Sequence, residues 1–248
     1  MSARRYQSQK RNLILFAGAA IVLIVAAGAG LRGAEPEAPT TAGNVGSFSA
    51  YAKTEKRQMP DGATVILGPR LRPTGDGFLV VTGTGRAVGS KAAPPVRYTL
   101  EVEPELRDYA SDLKAVAGSA LLDEERGWTS QGDRQLQRVA DPANAQIRIV
   151  LASPDVVDRH CARIGLMTNG TFSCWDGSRA MLNLTRWQEG ASDFGSLHGY
   201  RHYLINHEFG HGLGLGHESC QTTSTPAPVM MQQTKGTEQC TANGWPYP

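Results

Sequence analysis

The stretch His207-Glu208-Phe209-Gly210-His211-Gly212-Leu213-Gly214-Leu215-Gly216-His217 decides how the chain is read. On an α-helix, His207 and His211 lie four residues apart and project from one face, so both imidazoles reach a single ion. Glu208 lies beside that ion without needing to bind it, and a carboxylate there can hold and deprotonate a water. Gly214 tolerates the positive φ that ends a helix and turns the chain sharply, which brings His217 back as a third nitrogen ligand. Three neutral imidazoles and a water make an open tetrahedral site, the catalytic form of zinc, so Zn²⁺ is the expected cofactor. Bare HExxH is common, but these five fixed positions arise by chance on the order of 10⁻⁵ times in a chain of this composition. A phosphate loop at Gly212-x-Gly214-x-Gly216 is a poor alternative, because the Lys and Ser/Thr of a P-loop are missing.

HEFGHGLGLGH matches HExxHxxGxxH, and in this the chain resembles the metzincin metallopeptidases. Those proteins place a methionine turn beneath the metal some way past the third histidine. Pro228-Val229-Met230-Met231-Gln232 stands in that place, with Met230 the first candidate for the Met-turn residue and Met231 the second. The resemblance implies an α+β, metzincin-like zincin fold, with a twisted mixed sheet preceding the active-site helix. It implies a zinc metalloendopeptidase in which His207, His211 and His217 hold the metal and Glu208 is the general base acting on a zinc-bound water. It further implies that the sheet's edge strand takes an extended peptide or protein substrate by strand addition. Arg179–Leu184 is the candidate for that edge, with an ordinary interior strand as the alternative. The chain departs from the pattern at Gln232, where some branches carry a tyrosine that assists catalysis, so the oxyanion partner is left open. The N-terminal apolar run, the cysteine pairs and Asn243-Gly244-Trp245-Pro246 also resemble a family of exported, metzincin-like actinobacterial proteins.

Upstream of the motif, Arg97–Val102 alternates polar and apolar residues as a half-buried strand does, and Ile147–Ala152 and Arg134–Val139 read as further strands. Apolar residues at helical spacing predict a helix over 104–122. Residues 185–198 read as a loop and 200–213 as the metal-bearing helix. Residues 96–248 are thus the expected catalytic domain, long enough to bury its own core. Thr64–Leu67 and Gly77–Thr82 look like short strands in a stretch, 51–95, of open role; a pro-segment with Asp76 blocking the cleft is one reading of it. His160, His198 and His202 read as structural or surface residues, and Tyr200, Tyr203 and Phe209 as core.

Residues 13–31 hold no charge, and at ~1.5 Å per helical residue they span about one hydrocarbon core. Arg4, Arg5, Lys10 and Arg11 precede them, which orients residues 1–12 to the cytoplasm and exports the rest of the chain. The run is an uncleaved transmembrane anchor or, cut near Ala26–Ala29, a signal sequence, so the catalytic domain is expected at the cell surface or secreted. Residues 32–50, rich in Pro, Gly, Ala and Thr, are a flexible linker. Export favours disulfides, and the four cysteines pair most locally as Cys161–Cys174 and Cys220–Cys240. Removing the four N-terminal cations takes the formal charge from +2 to −2, which argues against a nucleic-acid partner. A catalytically idle metal-binding interaction domain is the alternative function.

Overall fold

The computed structural model describes residues 55–58, 64–67 and 69–248. The segments 1–12, 13–31 and 32–50 lie outside the described residues, and among those described no helix is long and apolar enough to cross a membrane. Strands β1 (Glu55–Gln58) and β2 (Thr64–Leu67) form an antiparallel pair. The main sheet takes β3 (Leu71–Pro73), β4 (Leu79–Val81), β5 (Val88–Gly89) and β6 (Pro95–Val102). A 3₁₀ turn over Pro104–Tyr109 leads into α1 (Ala110–Leu121). Then come β7 (Gln135–Arg138), β8 (Ile147–Ala152), α2 (Pro154–Ala162), β9 (Cys174–Trp175), β10 (Arg179–Asn183), α3 (Leu184–Glu189) and α4 (Leu197–Gly212). The fold is α+β with a mixed sheet of order β3-β4-β6-β8-β10-β9. β6, β8 and β10 run parallel, and β4 and β9 are antiparallel to their neighbours. β7 shares the β4 side of β6, pairing with its first half.

The period of two along β8 sorts the two faces of the sheet. Ile147, Ile149 and Leu151 face a core completed by Leu113, Val116 and Ala117 of α1 and by Leu204, Ile205 and Phe209 of α4. Val150 and Ala152 face the other way, against Val157 and Cys161 of α2. Fully burying one such aliphatic side chain contributes about 1.5–3 kcal/mol, so this two-sided packing fixes the sheet's position against α4.

Several expectations are corrected. Arg179–Asn183 is interior, paired on both sides, and the edge is β9; the apolar run RAMLNL already suits a strand buried on two faces. The predicted helix over 104–122 is broken at Leu106, whose backbone is non-helical. The loop predicted over 185–198 contains α3, because the Asn183 side chain accepts hydrogen bonds from the Thr185 and Arg186 amides and caps a helix there. β6 is not half-buried: Thr99 and Glu101 are fully enclosed. Glu101 accepts from Arg148 Nε at 2.8 Å and from its second nitrogen, while Arg148 also pairs with Asp76 at 2.6 Å. Asp76 is thereby held, with Arg179, on the sheet face away from α4, and its carboxyl is pulled well below the usual range by Arg148, so it blocks no cleft.

Candidate metal centre

Helix α4 is buried on all sides from Tyr200 to Gly210, yet it carries Arg201, His202, Asn206, His207 and Glu208 in that span. Each buried polar group there needs a partner or a function. Arg201 donates to the Trp187 carbonyl at 2.7 Å and to Asp112 at 3.1 Å; His202 meets Ser119 Oγ at 2.8 Å; Asn206 donates to the Gly244 carbonyl at 2.8 Å. His160, likewise away from the motif, meets Asp176 at 3.3 Å.

The helix ends in a Schellman arrangement. Gly214 sits at φ 87°, its amide bonds the His211 carbonyl at 2.9 Å, and the Leu215 amide bonds the Gly210 carbonyl at 3.0 Å. The reversal returns the chain over its own last turn and brings His217 against His207 and His211. The ligand atoms of the three lie within 4.8 Å of one another, and His211 Nε2 and His217 Nε2 are 3.1 Å apart. Two nitrogens at 2.0–2.1 Å from one tetrahedral ion are about 3.4 Å apart, so this spacing suits zinc.

Carbonyls behind the rings set the tautomers. His207 Nδ1 donates to the Val229 carbonyl at 2.8 Å, and His211 Nδ1 donates to the Leu215 carbonyl at 2.9 Å. Both Nε2 lone pairs are then left to point toward the shared centre. Burial pushes the His207 imidazole down to about 3, so it stays neutral, as a ligand must be. His217 is pushed down by burial, by His211 and by Lys235.

Glu208 is buried, and its Oε2 has no hydrogen-bond partner among the described residues. Burial pushes its carboxyl up to about 8. An unpartnered buried carboxylate oxygen next to three convergent imidazoles fits a cation-activated water better than it fits a structural role. The three imidazoles are a donor set of the kind that can hold a zinc ion.

The turn at 228–231 runs beneath the triad and closes with the Met231 amide on the Pro228 carbonyl at 2.9 Å. Met230 packs directly against Gly210, where an added Cβ would meet its Sδ at 2.3 Å, whereas Met231 belongs to a separate cluster with Ala227 and Cys240. The disulfides are Cys161–Cys174 and Cys220–Cys240. The second encloses the methionine turn. The first closes the loop that forms one wall of the cleft over the triad.

That cleft measures about 310 Å³. Leu166, Met167, Phe172 and Trp175 line it together with the histidines, and the exposed Gln232 and Lys235 line it at its rim. Ile164, Leu166 and Met167 are large and apolar yet 45% exposed or more, so the wall presents a wet hydrophobic lip. Sequence reasoning missed this lip, the Val229 carbonyl and Lys235. Phe172 and Trp175 flanking Cys174 were a usable signal; a carbonyl role leaves none, because every residue has one.

No curated protein and no solved structure matches the chain. A family described as Protein of unknown function (DUF3152) matches residues 67–242, which take in the whole main sheet, α4 and the methionine turn, and the chain belongs to that family.

Proposed function

We propose that this chain is a zinc-dependent metallopeptidase with a metzincin-like fold, acting outside the cytoplasm on peptide bonds. The observation that carries the reading is the convergence of His207, His211 and His217 with the unpartnered carboxylate of Glu208 beside them. His207, His211 and His217 would hold the zinc ion, which when bound would supply a Lewis acid that acidifies water and polarises a carbonyl. The chain's own groups do the rest. The Val229 and Leu215 carbonyls hold the His207 and His211 rings in the ligating tautomer. Glu208 takes a proton from the attacking water on a carboxylate oxygen and passes it to the leaving amine. The sheet edge β9 borders the same cleft, and an extended peptide laid along Cys174–Trp175 crosses the triad.

The test is zinc content and cleavage of a peptide library by the full-length chain and by Glu208→Ala. One zinc per chain in both, with cleavage abolished in the variant, supports the reading. Uptake of zinc without cleavage by either makes the chain an idle metal-binding domain, and no uptake at all removes the metal site.

A further inference from the structure

We propose that Lys235 is a specificity residue of this cleft and takes a carboxylate of the substrate, either an acidic side chain near the cleaved bond or a free C-terminus. The inference rests on the peptidase reading for the identity of the substrate, but its test does not require cleavage. Lys235 ends the 3₁₀ turn Gln233–Lys235, four residues after the methionine turn closes under the triad. The element that supports the histidines from below therefore also delivers this side chain to the rim of the cleft. Its Nζ donates to Gln232 Oε1 at 3.1 Å and lies 5.4 Å from the centre of the Phe172 ring. An ammonium has three N–H donors, and these contacts hold the head group in place while using one of them.

The charges around the cleft point the same way. Besides the histidines, its lining carries one fixed cation, Lys235, and one carboxylate, Glu208, which is buried at the floor. No carboxylate among the described residues pairs with Lys235. Phe172 beside it, with Leu166 and Met167, gives the lining there an apolar surface that offers an incoming anion no competing charge. An anionic group entering beside the triad thus meets one placed ammonium and no competing anion at the rim. The Gln232 amide oxygen orients Nζ.

The experiment measures peptide affinity by fluorescence anisotropy on the full-length, zinc-loaded chain carrying Glu208→Ala, which keeps the peptides whole. Four probes share one backbone: internal Glu or Gln, each with a free or an amidated C-terminus. The expected result is about tenfold tighter binding of one carboxylate probe over its carboxamide twin, at the lower end for a charge-assisted hydrogen bond at a solvent-accessible site. Which twin discriminates identifies the source of the carboxylate. Lys235→Met should bring the ratio to about one, Lys235→Arg should keep most of it, and Lys235→Glu should turn the preference toward the carboxamide twin. The inference is overturned if the ratio survives in Lys235→Met, if no carboxylate preference exists to begin with, or if the preference disappears on chelating the zinc and not on changing Lys235. Cleavage by the unsubstituted chain is scored separately. Peptides that bind with discrimination but are not cut defeat the peptidase reading alone, and peptides cut without discrimination defeat only this one.

Discussion

Replacing Gly210 by alanine tests the packing under the histidine triad most directly. A Cβ at that position meets Met230 Sδ at 2.3 Å, Trp128 Cζ2 at 3.0 Å and Met230 Cε at 3.2 Å. The sulfur must move, and Met230 is buried with little room to do so. Overpacking of this kind costs about 1–3 kcal/mol. Alanine in a helix interior returns about 0.5–1 kcal/mol relative to glycine. The net expectation is a loss of about 1–2 kcal/mol, equal to a fall in Tm of roughly 3–6 °C for a domain of this size. The sign should change in the Met230→Ala background. That substitution alone costs about 2–5 kcal/mol as a core truncation, but it removes the clash, so adding Gly210→Ala becomes neutral or slightly stabilising. The coupling between the two sites should then be about 1–3 kcal/mol, the overpacking cost itself. Denaturant unfolding of the four proteins, in chelator so that metal affinity does not enter, measures it. If Gly210→Ala stabilises the parent, or costs as much without the methionine side chain as with it, the turn does not support α4 in the way described.

Two further outcomes concern the buried polar groups of α4. Burial, reinforced by His198 and Arg126, pushes His202 down to about 4, below its unfolded value near 6.5. The unfolded chain then binds the extra proton first, so stability is full above pH 6.5 and falls as pH drops toward 4; His202→Gln, which can keep a bond to Ser119, should narrow the gap between unfolding midpoints at pH 7 and pH 5. Asp112 receives Trp187 Nε1 at 2.9 Å and Arg201 at 3.1 Å, tying α1 to α3 and α4. Asp112→Ala should cost about 3 kcal/mol by urea titration, because it removes the carboxylate that both a buried guanidinium and the Trp187 indole N–H bond, whereas Glu189→Ala at an exposed pair should cost under about 1 kcal/mol.

The triad was legible in the sequence because its geometry is local. Two ligands share one helix face and the third returns through a single glycine, so eleven consecutive residues contain the whole construction. The sheet's edge was not legible, because β9 has only two residues and owes its existence to pairing with Ala180 and Met181. Helix α2 escaped notice although its apolar residues share one face, because it is only nine residues long and buries just Val157 and Cys161. Alternation placed β6 correctly but misjudged its polar face, since the partner that permits Glu101 to be buried, Arg148, lies 47 residues away. The apolar run at 13–31 lies outside the described residues.

What holds the triad from below is a segment with almost no regular structure, and its polar groups explain how it stays in place. A buried loop must find partners for its backbone without the help of a ladder. Here side-chain amides supply them. Gln233 donates to the Pro228 carbonyl at 3.2 Å and to the Asn243 carbonyl at 2.8 Å, and accepts from the Asn243 amide at 2.9 Å. Asn243 donates to the Ala227 carbonyl at 2.8 Å, and Tyr203 of α4 bridges the Met231 carbonyl and the Gln233 amide at 3.0 and 2.9 Å. Pro228 and Ala227 are thereby fixed next to the peptide group that presents the Val229 carbonyl to His207. A shift of that carbonyl would release the His207 ring to its other tautomer and turn its lone pair away from the shared centre. The buried amides of the C-terminal segment therefore help to hold the histidine triad in its arrangement, although none of them reaches the triad, and the Cys220–Cys240 bridge holds the two ends of the same segment together.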